Sequence, residues 1–180
     1  MNYLWYDKVR GDDVEQGDIF ENCPVLVLPS KLSLGPLGTR TEPQDIPFEC
    51  RDVIVLSQTC DMVKYQEKTP EVLLCGVWQK SDFQAGQNMA SNADWENARK
   101  GRMVGFHVLN KCDLEGFRRD FRVVDFRRVH SLPLDFVRNM AIQSGDRIRL
   151  LPPYREHLSQ AFARFFMRVG LPVDIPEFEH

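Results

Sequence analysis

The stretch from Asp52 to Asp61, DVIVLSQTCD, constrains this chain most. Val53 to Leu56 is a short run of β-branched and aliphatic residues, which reads as a strand buried on both faces. It ends abruptly in Ser57, Gln58, Thr59, Cys60 and Asp61. A buried strand is a rigid support, and these side chains at its exit can hydrogen-bond or react, so they form a candidate site. An alternative stands beside that reading: Ser57, Thr59 and Asp61 can instead hold the backbone amides of a turn.

The remaining apolar segments are also strand-length. QGDIF at 16–20 opens a first strand, and Val25 to Leu28 continue it beyond Pro24, which restricts this piece to a sheet edge or a break in the ladder. Residues 29–47 are rich in proline and glycine and read as a long loop. Strands are expected at 48–56, 70–78, 103–109, 121–129 and 147–151. In 121–129, Phe121, Val123, Asp125, Arg127 and Val129 alternate with Arg122, Val124, Phe126 and Arg128. Neither set is purely apolar, so this strand presents arginines at one end.

Three helices punctuate the strands. Ser91 and Asp94 make a capping-box-like start, Arg99 and Lys100 suit a last turn, and Gly101 suits the C-terminal cap, giving a helical insertion at about 91–101. Ser131 and Pro133 open a short helix to about Met140. From Pro153 to Val169, Leu158, Phe162, Phe165, Phe166 and Val169 fall on one helical stripe, and Gly170 and Pro172 stop the helix. The fold class expected is mainly β with added helices (α+β), as one domain over 1–180 with its core at about 14–140.

Hydrophobic residues make up 43% of the chain and charged residues 27%, an ordinary globular balance. No apolar run approaches the roughly 18–20 residues that span a bilayer. The first residues, MNYLWYDKVRGDD, lack the layout of a signal peptide, so a cytoplasmic protein without membrane contact is expected. Cys23, Cys50, Cys60, Cys75 and Cys112 are scattered and form no CxxC pair, which points to reduced thiols. A zinc site drawn from Cys50, Cys60, His107 and Cys112 has no support in the spacing, so no metal and no cofactor are expected.

The net charge of −3 hides an asymmetry. Residues 1–98 carry 8 Lys and Arg against 16 Asp and Glu, whereas 99–170 carry 15 against 7, and 13 of those 15 are Arg. Either the basic segment offers a face for nucleic acid or an acidic protein partner, or the acidic half neutralises it in space.

The series of elements resembles the PemK/MazF family, small β-barrel endoribonuclease toxins of toxin–antitoxin systems. QGDIF at 16–20 is similar to the first strand of that family, CRDVIVLSQ at 50–58 to its arginine, spacer and apolar strand, and VVDFRRVHSLPLDFV at 123–137 to a later strand and short helix. The SQTCD exit and the PYREHLSQAFARFFMRVGLP tail also resemble a group of uncharacterised bacterial proteins. The toxin resemblance implies a small barrel with a homodimeric assembly; the helical insertion is extra to that family, and the amphipathic C-terminal helix is read from its own stripe. It places Arg51 where the toxins contact the scissile phosphate. Asp52 stands where they usually carry proline, and Gly76 to Gln79 offer no hydroxyl where they place Ser or Thr.

RNA cleavage needs a base for the 2′-hydroxyl, a cation for the phosphate and an acid for the leaving oxygen. Arg51, Asp61 and His130 are the catalytic candidates, with Ser57, Thr59, Cys60, Arg127 and Arg128 as binding candidates. Three functions follow: a barrel that binds or cleaves RNA in a toxin–antitoxin or defence module; a catalytically inactive barrel that serves protein interaction; or a thiol-dependent enzyme using Cys60, which requires a histidine such as His107 beside it.

Overall fold

The computed structural model describes residues 3–27 and 47–167. The expected loop at 29–47 and the end of the last helix, residues 168 and 169, lie outside the described residues, Pro47 excepted. The elements run β1 (Tyr6–Val9), β2 (Asp18–Leu26), β3 (Phe48–Val55), β4 (Glu71–Gln79), α1 (Asn92–Arg99), β5 (Phe106–Leu109), β6 (Arg122–Pro133), α2 (Leu134–Ser144), β7 (Arg147–Leu150) and α3 (Tyr154–Phe166). The strands form one antiparallel sheet in the order β1-β7-β2-β3-β4-β6-β5.

The fold is mainly β with three helices, the α+β class, but the ladder of its sheet is open: β1 and β5 are the two edges and do not pair. The edges nevertheless approach one another, because the Tyr6 hydroxyl on β1 donates to the carbonyl of Asn110, just beyond β5, at 2.7 Å. Two irregularities bend the sheet. On β2 the register shifts between Phe20 and Cys23, where Asn22 takes a positive φ of 56°. On β6, Cys75 faces Val129 while the next residue, Gly76, faces Asp125, so Phe126, Arg127 and Arg128 have no opposite residue on β4.

Alternation along β3 explains the two-sided core. Ile54 and Leu56 point into one cluster with Tyr6, Ile19, Val77, Leu109, Phe126 and Leu150, over which α3 lays Leu158, Phe162 and Phe165. Val53 and Val55 point the other way, with Phe20, Val25, Leu74 and Leu132, and are covered by Val137 and Ala141 of α2. Pro24 lies inside β2 without breaking it. Strand β7 pairs with β2 only at Asp18 and Ile19, so among the described residues no strand pairs with the far side of β2 at Pro24 and no N–H is needed there.

The insertion helix starts as its sequence implies: Ser91 Oγ accepts from Asp94 N at 3.1 Å, and Asp94 Oδ2 accepts from Ser91 N at 3.4 Å. Ser131 and Pro133, expected to open a helix, instead complete β6, and the helix begins at Leu134. Ser131 Oγ donates to Glu71 Oε2 across the ladder at 2.9 Å, which keeps this stretch in the sheet. Among the described residues, no helix is long and apolar enough to cross a membrane.

Much of the charge asymmetry cancels inside the fold. Asp18 is fully buried and accepts from Arg147 Nε at 2.8 Å, from Arg149 and from Glu15 N. Arg119 meets Glu21 at 2.6 Å and Arg138 meets Glu67 at 2.8 Å. Each pair joins the basic half of the chain to the acidic half.

Candidate functional site

The polar cluster at the exit of β3 is a turn that holds neighbouring segments. Ser57 Oγ accepts from Leu73 N at 2.9 Å, Thr59 Oγ1 accepts from Gln16 N at 3.1 Å, and Gln58 Nε2 donates to Ser159 Oγ on α3 at 3.2 Å. Asp61 contacts Lys68 at 3.5 Å, and its backbone closes the short turn over Thr59–Asp61. Cys60 is exposed, and its thiol lies 3.6 Å from Asp61 Oδ1. Among the described residues no imidazole lines the hollow around Cys60, whose charged walls are Arg155 and Glu156 of α3. His107 is on β5, facing the other side of α3, where its ring lies 6.4 Å from that of Phe126. The pair required for a thiol-dependent enzyme is therefore not assembled.

Arg51 stands in the middle of β3, well back from that turn. Four strand steps, about 13 Å, separate it from Val55, and Asp61 lies beyond Val55 again. Arg51, Asp61 and His130 consequently do not form one site. The structure instead brings Arg51, His130 and Arg128 together with a residue that the sequence pattern did not single out, Trp78.

The backbone explains this grouping. Val53 is opposite Gly76, so Arg51 falls beside Trp78 on the same sheet face. The guanidinium of Arg51 lies over the Trp78 ring, 4.8 Å from its centroid, and also pairs with Glu49. The indole folds back across Gly76, where a Cβ would meet Trp78 Nε1 at 3.0 Å and Arg128 Cβ at 3.4 Å. A glycine is needed at that point for the ring and the Arg128 stem to share the space. The bulge on β6 delivers Arg128 to this face, with His130 two residues further along.

Two polar atoms here have no partner: Trp78 Nε1 and His130 Nε2 are both buried and make no hydrogen bond. The His130 imidazolium is disfavoured by burial first, then by the charges of Arg51 and Arg128, so its pKa is lowered. Arg127 is less available. Its Nε and Nη2 each reach Asp125 at 2.8 Å, and its guanidinium covers the Phe106 ring at 4.4 Å. Among the described residues Arg128 makes no ion pair, in contrast to the arginines bound to Asp18 and Glu21.

A group of two guanidiniums, an indole N–H and a half-buried imidazole is an anion-binding arrangement, with flat surfaces beside the charges. The carboxylates beside it are both ion-paired, Glu49 with Arg51 and Asp125 with Arg127. Among the described residues, no group of three or more His, Cys, Asp and Glu side chains is placed to hold a metal ion.

Sequence reasoning finds Arg51, Arg128 and His130 but misses Trp78. The signal is present in the spacing of GVW: a glycine two residues before an aromatic puts both on one strand face, where the small residue leaves room for the large one. No protein-family model matches this sequence, and no curated protein matches it at a significant level.

Proposed function

We propose that this protein binds single-stranded RNA across the sheet face formed by Arg51, Trp78, Arg128 and His130. The observation that carries the reading is the convergence of two arginines on an indole and an imidazole whose buried nitrogens both lack partners. Phosphate oxygens accept from such donors, and bases stack on guanidinium and indole planes. The resemblance to PemK/MazF toxins supports the same polymer and gives Arg51 the same phosphate. The approach of the two sheet edges at Tyr6 and Asn110 supports a barrel-like form of that kind. A role in a toxin–antitoxin or defence module, with a homodimeric assembly, belongs to this reading.

Binding is better supported than cleavage. Among the described residues His130 is the one imidazole in the cluster, and cleavage calls for a second acid–base group. The test is fluorescence anisotropy of a labelled mixed-sequence RNA over a salt series, with the RNA then run on a denaturing gel. Arg51→Ala and Arg128→Ala are expected to weaken binding and to lower the salt slope by about 0.7 for each phosphate left without its arginine. Wild-type protein that fails to bind at low salt overturns the reading. Strand scission that disappears in His130→Ala converts it to a ribonuclease.

A further inference from the structure

A second cleft, separate from the face just described, has a lining of one chemical character. It lies between β5 and α3, beside the C-terminal turn of α1, and encloses about 620 Å³. That is within the range of small-molecule pockets, roughly 300–1,000 Å³. Helix α3 makes one wall. Leu158, Phe162 and Phe165 turn into the core, which leaves His157, Gln160, Ala161 and Arg164 on the stripe facing the cleft. Trp5, Phe106 and Phe121 supply aromatic surface, and Trp5 is fixed by stacking on Tyr154 with centroids 3.6 Å apart.

Among the described residues, the charged side chains that line this cleft are all basic. Arg99, Lys100 and Arg164 line the cleft, and among the described residues no Asp or Glu does. Arg99 and Lys100 are each held by Glu96, at 2.7 and 2.8 Å, where they also offset the negative end of α1. Arg164 makes no ion pair among the described residues. The His107 ring stands in the opposite wall, with its Nε2 buried and unpartnered. Burial and the neighbouring His157 keep its imidazole neutral, so the wall carries a polar edge without adding a charge.

We infer that this cleft binds a small apolar anion: a carboxylate on an aromatic or short aliphatic body, with the body between Trp5, Phe106 and Ala161 and the carboxylate at Arg164. Apolar walls select the body, and the unpaired guanidinium of Arg164, with no carboxylate lining the cleft among the described residues, selects the charge.

Three isosteric probes test this with the full chain: 2-naphthoate, 2-naphthylmethanol and 2-naphthylmethylamine, titrated by calorimetry and by amide chemical shifts. The acid is expected to bind, the alcohol about tenfold more weakly, and the amine not measurably. Arg164→Gln, an exposed change, should bring the acid down to the affinity of the alcohol while leaving RNA affinity as in the wild type. Ala161→Phe should close the cleft to both, with its amide spectrum showing that the fold persists. Equal binding of all three probes, binding of none, or acid binding that survives Ala161→Phe overturns the inference.

Discussion

The guanidinium of Arg51 and the ring of Trp78 are stacked 4.8 Å apart on neighbouring strands, although 27 positions separate them in the chain. The contact exists because Val53 pairs with Gly76, which puts residue 51 beside residue 78. It turns a strand-borne arginine into part of a fixed surface, since the ring limits the rotamers open to the long side chain. The same ring is held down by the space above Gly76, so one missing methyl group couples the backbone of β4 to the position of Arg51.

Gly76→Ala tests that coupling. The new methyl meets Trp78 Nε1 at 3.0 Å and Arg128 Cβ at 3.4 Å, the first too close for the indole to stay where it is. The indole should lift away, and Arg51 and Arg128 should separate. The expected result is RNA affinity reduced by about tenfold and stability reduced by about 1–3 kcal/mol, the cost of overpacking a tight site. Anisotropy and urea unfolding of the same preparation measure the two effects. Unchanged affinity would remove Gly76 from any part in shaping the surface.

The buried acid of β2 gives a larger effect. Asp18 has no solvent exposure and receives hydrogen bonds from Arg147, Arg149 and the Glu15 amide. Asp18→Ala leaves Arg147, itself 2% exposed, without its counter-charge, and removal of one partner from a buried pair costs about 3–5 kcal/mol. The double variant Asp18→Leu, Arg147→Met should lose less than Asp18→Ala alone, because no unpaired charge remains. Urea midpoints of the two variants decide the order.

How far the fold is legible in the sequence follows from which elements carry local signals. The α1 boundary is readable from Ser91 and Asp94 because a capping box is made by residues three apart, and both of its hydrogen bonds form. The buried strand at Val53–Val55 is readable because its apolar run has no polar side. Strand β1 is not: Asp7 and Lys8 face solvent, Tyr6 is its one fully buried side chain, and the element exists through pairing with β7 some 140 residues away. The candidate site divides in the same way. Arg51 and Arg128 can be named from sequence, but their meeting on Trp78 depends on the β3–β4 register and the three-residue bulge of β6, which are long-range properties. The SQTCD cluster reads two ways for a related reason, since a turn that holds the segment before β2, β4 and α3 uses the same side chains as a catalytic turn.

Thiol chemistry separates the five cysteines into two groups. Cys50 and Cys60 are exposed, while Cys23, Cys75 and Cys112 are buried. Burial pushes the Cys23 and Cys75 thiols up to about 12, so neither supplies thiolate at neutral pH. An aromatic disulfide reagent should titrate two thiols rapidly in the native protein and the other three only after denaturation. Cys60→Ser should remove one rapid equivalent and leave RNA binding unchanged, because Cys60 lies beyond the far end of β3 from Arg51.

Stability should depend on pH through His107. Desolvation, with His157 adding a smaller effect, lowers its pKa from 6.5 to about 4 in the folded chain. The unfolded chain therefore binds a proton there at a higher pH than the folded chain does. The contribution is fully present above about pH 6.5 and is lost as the pH falls toward 4, up to about 3 kcal/mol at 1.36 kcal/mol per pKa unit. His107→Phe keeps an aromatic ring against Phe126 and removes the titration. Unfolding free energies measured from pH 7 to pH 4 should fall less steeply in that variant than in the wild type, the two curves diverging by a few kcal/mol at the acid end. Parallel curves would show that His107 has the same proton affinity in the folded and unfolded chain.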